Sequence, residues 1–500
     1  MKNIILLLSI FLVTSLCYSQ NENNAKYVRL NASTPEAQAD LEAMNVAFKK
    51  MREMDCENGL AWYYQGAIHN IPSEIKGKNN LCSQYQTSKD KLFAWGDCTH
   101  KSGISAKLHF LLWHRMYIWH FEKIIRELSG KKDFALPYWN YGSNILDENI
   151  MPQKIRDPKG YLYEAARYSV LNNGEPIPPT NLKNIKRTLR EIINSPIFLR
   201  ERTNEDGEKE YFGFSPELEK SPHGYMHDLI GGEYANPKET FYNQIYQKKD
   251  FPGLMANVPS AGFDSVFWLH HSMIDRIWES WEVNHLEQRP TLAQLEASPW
   301  EYNFIEPNGK EITYTIKEMY DIVFNLGYRY NNLLYTSESP VLASIKPSVN
   351  KNVSFQDSTH KIIWKQKIGK TIGSNAFKHK VTKKISKRVT KNFKSEKKSF
   401  IFLSLNVVVY KEPSDYYTVH LRYPNQKDEY LGTMTFFGVA HDHGTGENHT
   451  IGENGVKLNF SYYISDDLKD SNKNFEIIIK KNGIGEAKVT LENISMIKFN

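Results

Sequence analysis

Two histidines four residues apart, His223 and His227 in His223-Gly-Tyr-Met-His227, would lie on one helical face, where their imidazoles could share a metal ion. Such pairs also arise as surface accidents, so this one gains weight only from company. His270-His271 supplies some. Adjacent residues on a helix point about 100° apart, so one of the two should face a given site. His271 is the better candidate, because Asp275 stands four residues on and could orient the site from behind. His114 sits inside Leu112-Trp113-His114-Arg115, His69 ends Trp62-Tyr-Tyr-Gln-Gly-Ala-Ile-His69, and Cys98-Thr99-His100 sets a further histidine beside a cysteine. A core histidine bonded to a carbonyl is the plain alternative for His114. Several neutral imidazoles without carboxylates suit copper or zinc, and not magnesium or calcium.

The elements that must position these residues are mainly helical from about Asn24 to Tyr335. Pro35–Arg52 reads as an amphipathic helix with Leu41, Met44, Phe48 and Met51 on one face. Leu108–Leu128 and Ser265–His285 are apolar all round, which predicts two buried central helices, each carrying histidine into the core. The long polar connection Asn144–Pro179 should shape or cover a site. After about Ser337 the pattern changes. Ile401–Tyr410, Tyr416–Leu421, Tyr430–Val439, Val456–Ile464, Phe475–Lys480 and Ala487–Leu491 are short β-branched and aromatic runs spaced as in a β-sandwich.

Taken together, the motifs resemble the tyrosinase and polyphenol oxidase family of type 3 copper proteins. The matching pieces are Cys98-Thr-His100, Phe110-Leu-Leu-Trp-His114-Arg115, Leu136-Pro-Tyr-Trp139, Ser221-Pro-His223-Gly-Tyr-Met-His227-Asp-Leu-Ile-Gly-Gly232 and Asp264-Ser-Val-Phe-Trp-Leu-His270-His271-Ser-Met-Ile-Asp275-Arg276. The resemblance implies two copper ions, one on His69, His100 and His114, the other on His223, His227 and His271. Together they would hold O2 and oxidise phenolic rings. The family usually sets its second and third ligands closer than His100 and His114, and the extra residues fall near Gly103–Lys107. His109 is therefore a rival to His100. His100 is preferred because Cys-x-His matches members in which the cysteine sulfur is bonded to that histidine ring. That reading would use Cys98 and leave Cys56 and Cys82 to pair as a disulfide. Ser265 stands where the family commonly has proline.

Glu219 matches the family glutamate that holds a water beside the second copper and could take a phenol proton. Hydroxylating members often have Asn after the first ligand of that copper. Here the position is Gly224, with Asp228 a partial substitute. Catechol oxidation to o-quinones with weak or no monophenol hydroxylation is therefore expected. An o-aminophenol oxidase or a full tyrosinase is the near alternative, and a haemocyanin-like O2 carrier the distant one. Tyr430-Leu-Gly-Thr-Met-Thr-Phe-Phe437 resembles the C-terminal domain of plant-type polyphenol oxidases, which covers the copper pocket. The resemblance thus implies a latent enzyme opened by a protease.

Composition sets the frame. With 40% hydrophobic and 24% charged residues, the 500-residue chain is neither disordered nor a polytopic membrane protein. Lys361–Lys398 holds fourteen Lys/Arg against Glu396, so the remainder of a +6 chain is net acidic, and no nucleic-acid partner is expected. Lys2 followed by Ile4–Leu16, a run of about 13 residues where a span needs roughly 20, reads as a cleavable export signal. A secreted or periplasmic protein without an integral membrane segment is expected. The expected order is a signal peptide (1–19), a mainly α catalytic domain (20–340), a solvated basic linker (341–400) and a small all-β, sandwich-like C-terminal domain (401–500). His441, His443 and His449 are read as a solvated loop in preference to a metal site.

Overall fold

The computed structural model describes residues 25–71, 98–100, 103–334, 360–394, 400–439 and 451–499, save for short gaps within these ranges. The expected signal segment, Cys82, and the histidines at 441, 443 and 449 lie outside the described residues.

Residues 25–334 pack around two central helices. The chain enters through β1 (Tyr27–Arg29), which pairs in parallel with β2 (Tyr328–Tyr330) and so ties the two ends of this region together. Helix α1 (Gln38–Glu53) buries Leu41, Met44, Phe48 and Met51, the stripe expected from the sequence, and α2 (Trp62–His69) ends on a histidine. Central helix α3 (Ile104–Ser129) is buried on all sides and closes on Gly130, whose φ of 80° suits a left-handed cap. Helix α4 (Pro179–Ile193) packs outside. A kinked segment, Glu219–Gly224, leads into α5 (Tyr225–Ile230). The second central helix, α6 (Ser265–Glu282), starts at Asp264, whose carboxylate accepts from the backbone N–H of Val266 and pairs with the buried Arg167 at 2.6 Å. Ser265 donates its hydroxyl to the Leu162 carbonyl, a bond that proline could not make.

The C-terminal part holds two four-stranded sheets. One runs β8 (Val456–Tyr463), β5 (Phe400–Val409), β10 (Val489–Phe499), β3 (His360–Ile372). The other runs β4 (Phe377–Val381), β9 (Phe475–Asn482), β6 (Tyr416–Arg422), β7 (Glu429–Met434). Their pairings are antiparallel, and Leu403, Leu405, Val419, Ile477 and Met496 from the two sheets share one core.

The expected linker needs correction. Within 341–400, residues 360–394 form β3, β4 and α7 (Lys383–Lys394). β3 and β4 are edge strands that bury little beyond Ile363, Ile372 and Val381, so alternating lysines hide their apolar face in the sequence. A protease cut inside Lys378–Lys394 would therefore break the β-region itself.

Contacts between the two parts are extensive. Phe212 meets Phe402 and Phe499, Asn406 donates to Glu210 at 2.7 Å, and the Thr188 and Tyr430 hydroxyls share a bond at 2.7 Å. Among the described residues no helix is long and apolar enough to cross a membrane.

Candidate metal centre

Seven histidines converge between α2, α3, α5 and α6. The ring of His69 lies 5.5 Å from that of His100 and 5.6 Å from that of His114. His223 lies 4.5 Å from His227 and 5.1 Å from His271. The two groups join where His114 stacks on His271 at 4.3 Å and His100 on His223 at 4.8 Å. Gly262 lets α2 come close, since a Cβ there would lie 2.9 Å from that of His69.

Backbone carbonyls fix the orientations of three rings. Nδ1 of His114 donates to the Phe110 carbonyl, Nδ1 of His223 to Glu219 and Nδ1 of His227 to Met255, at 2.8–2.9 Å. Each bond sets the tautomer and turns the lone pair of Nε2 inward. The Nε2 atoms of His114, His223, His227, His270 and His271 are buried without a hydrogen-bond partner. Orphaned acceptors in such number are costly unless something fills them. Burial lowers His114 to about 4 and His227 to about 3, and burial with neighbouring imidazoles pushes His223, His270 and His271 well down. The rings are neutral at ordinary pH, as metal ligands must be. The donor set fits a pair of copper ions.

His109 is placed elsewhere. Its Nδ1 bonds to the Tyr302 hydroxyl at 2.7 Å and its Nε2 to the Ser298 carbonyl at 2.8 Å, leaving no nitrogen for a metal. His270 corrects the facing argument. Both members of the His270-His271 pair reach the cluster, and the donor atoms of His223, His227, His270 and His271 lie within 4.8 Å of one another. His270 also shares a 2.9 Å bond with the Tyr141 hydroxyl. Asp275 does not orient a histidine as expected. It neutralises the buried Arg29 (2.9 Å) and Arg115 (2.5 Å) and accepts from Tyr328 and Tyr330. Burial would raise its pKa, but these arginines bring it below the ordinary value.

Cys98 is a fully buried thiol whose sulfur lies within 4.8 Å of the donor nitrogens of His69 and His100. Cys56 is disulfide-bonded. Glu219 pairs with Lys107 at 2.6 Å, and its other oxygen lies 3.5 Å from Nδ1 of His100. Asp228 accepts from the Tyr234 hydroxyl at 2.6 Å.

Two participants escaped the sequence reading. Lys107 belongs to the extra residues before His114, and nothing in them signalled a partner for Glu219. Phe437 follows β7 and lies over the histidines, its ring stacked on His227 at 4.3 Å and 6.0 Å from His100. The segment around it was singled out, but no side chain was. Thr435 fastens the same turn by donating to the Lys220 carbonyl at 2.7 Å.

Residues 60–284 match the common central domain of tyrosinase. A tyrosinase of Hahella sp. is 27% identical over 302 residues, covering 57% of this chain and 59% of the relative. A chloroplastic polyphenol oxidase of Malus domestica is 26% identical over 312 residues, covering 58% of this chain and 48% of the relative. The chain thus spans about half to three-fifths of these relatives. The latent apple tyrosinase structure matches with a TM-score of 0.59 at 18% identity, covering 95% of this chain and 97% of that one, a likeness of fold. The histidine cluster thus lies in a region, residues 60–284, that matches the tyrosinase central domain, and the chain is similar to the tyrosinases and polyphenol oxidases, which are type 3 copper proteins.

Proposed function

We propose that this chain is an exported copper oxidase that uses O2 to convert catechols to o-quinones, held latent by its own β-domain. The observation that carries the reading is a buried cluster of neutral imidazoles, with orphaned nitrogens turned inward, lying beneath one aromatic ring from the C-terminal domain. His69, His100 and His114 would hold one copper, and His223, His227 and His271 the other. The copper pair supplies O2 binding and electron acceptance from the phenol.

The chain's own residues do the rest. Carbonyls of Phe110, Glu219 and Met255 keep three imidazoles in one tautomer. Phe267 packs against His69 at 4.9 Å and His271 at 4.2 Å, helping to exclude water from the inner side. Glu219 is the group placed to take a phenol proton, but Lys107 engages its carboxylate, and Gly224 offers no side chain to hold a water there. Both features favour catechols, whose oxidation does not require oxygen transfer into a ring. Close packing of Cys98 against His100 supports a sulfur–ring bond that would form on copper loading in the presence of O2, with O2 as the oxidant that takes up the two electrons and two protons lost from the thiol and the ring C–H. Copper-loaded protein should then yield a Cys98–His100 peptide two hydrogens lighter than its sequence requires.

The deciding experiment is copper reconstitution followed by turnover of catechol and of a monophenol, in the intact chain and in Phe437→Gly. Turnover of catechol by the variant well above that of the intact chain, with little monophenol oxidation, is expected. A protein that binds O2 reversibly but oxidises neither substrate would mean a carrier instead.

A further inference from the structure

The basic stretch once read as a linker is a built surface. Between His360 and Lys394 there are twelve Lys or Arg residues and no Asp or Glu. β3 and β4 are the edge strands of their sheets, and Trp364 of one meets His379 of the other at 5.6 Å, so the two edges lie side by side. Helix α7 packs on β3 and β10, turning Val389 and Ser386 inward. Lys361, Lys367 and Lys370 on β3, Lys378 and Lys380 on β4, and Lys383, Lys384 and Lys387 on α7 are exposed. None of these eight is in an ion pair among the described residues, whereas Lys365 is matched by Glu205 at 2.8 Å.

Lysines on free edges guard against strand-to-strand aggregation. That role does not account for this face. Charge of either sign can guard an edge, yet one sign is used throughout, and α7 is not an edge strand. Eight fixed like charges repel one another and lower the stability of the domain in the absence of a counter-charge.

We propose that this side of the β-domain docks a linear acidic polysaccharide, a polymer of carboxylate- or sulfate-bearing sugars. The charges are spread along strands and a helix, with Lys378 and Lys380 about 6.7 Å apart along β4, a layout suited to an extended anion. Among the described residues, no exposed large hydrophobic side chain falls between residues 360 and 394, where a membrane-binding surface would carry apolar anchors. Trp364 and Phe377 pack against the domain core and offer no stacking platform for single-stranded bases. The choice of a sugar polymer over duplex nucleic acid follows the export expected from the first residues.

The test uses the full copper-loaded chain and measures binding to alginate and to dextran sulfate, with neutral dextran as control. Binding should weaken at least tenfold between about 50 and 300 mM salt, as counterion release requires. Two variants on different elements, K367E/K370E on β3 and K383E/K384E/K387E on α7, should each weaken it at least fivefold while keeping a Tm at or above that of wild type and unchanged catechol turnover. If one variant fails to fold, the other decides. The proposal is overturned if wild type ignores both polymers at low salt, or if the folded variants bind as wild type does. Tighter binding to duplex DNA or to anionic lipid vesicles than to either polysaccharide would also overturn it.

Discussion

The ring of Phe437 lies 4.3 Å from that of His227 at an interplanar angle of 19°, so an aromatic side chain from the β-domain stacks on the histidine cluster. Stacked aromatic pairs contribute about 0.5–1.5 kcal/mol beyond area burial. Under the proposed function, a tethered ring of this kind would compete with substrate at a high effective concentration. Phe437→Gly in the intact chain should therefore raise catechol turnover several-fold, chiefly through a lower KM, with copper content unchanged. Steady-state kinetics alongside metal analysis checks this, and equal KM values would mean that Phe437 does not compete with substrate.

Copper stoichiometry separates the neighbouring histidines. His271→Ala should lose about one copper per chain and nearly all turnover, because a three-imidazole site cut to two loses affinity and geometry together. His270→Ala should retain both coppers but bind them less tightly, since its ring lies 4.8 Å from His227 and shares a bond with Tyr141. His109→Ala should keep two coppers and lose about 1–3 kcal/mol of stability from the bonds it makes to Tyr302 and Ser298. Loss of copper in His109→Ala, with His271→Ala fully loaded, would reverse the assignment.

Much of this site was legible because ligand chemistry leaves marks that survive in one dimension. His223 and His227 declare themselves by spacing, and His114 and His271 by sitting in helices too apolar to be surface elements. What stayed hidden depends on contacts distant in sequence. Asp275 follows His271 by one helical turn, which suggests support for it, yet two arginines from β1 and α3 claim the carboxylate. Lys107 reaches Glu219 only because the chain folds back across 112 residues. β3, β4 and α7 were missed because edge elements bury so few residues that lysine dominates their composition, and composition alone then reads as a solvated tether.

Acid should destabilise the metal-free protein. Burial holds His114 at about 4 and His227 at about 3, against an ordinary value of 6.5. Their folded pKa values are depressed, so the unfolded chain binds more protons below pH 6.5. The stabilising contribution is complete above that value and falls as pH drops toward 4 and then 3. Thermal unfolding of the apo-protein should show Tm level from about pH 7 to 8 and decreasing steadily from 6 to 4. The copper-loaded protein should resist the early part of that fall, because metal and proton compete for the same nitrogens. Identical profiles with and without copper would show that these imidazoles do not bind the metal.

Under the proposed function, Gly224 would link substrate choice to latency. A Cβ at this position would lie 3.0 Å from the Cβ of Phe437, 3.4 Å from the Glu219 carbonyl and 3.5 Å from the hydroxyl of Thr435. The first contact is tighter than ordinary packing allows, and Thr435 is bonded to Lys220, so the turn carrying Phe437 has little room to retreat. Gly224→Asn should consequently act in two ways that different backgrounds separate. In the intact chain it should dislodge Phe437 and raise catechol turnover several-fold, as Phe437→Gly does. With Phe437 already replaced by glycine it should leave catechol turnover within about twofold and raise the monophenol rate more, because the amide gives a water on Glu219 a second partner. The ratio of monophenol to catechol rates in the double variant is the measurement that isolates the second effect. An intact Gly224→Asn enzyme as latent as the wild type would show that the turn yields without releasing its ring, and an unchanged ratio in the double variant would remove Gly224 from the account of substrate preference.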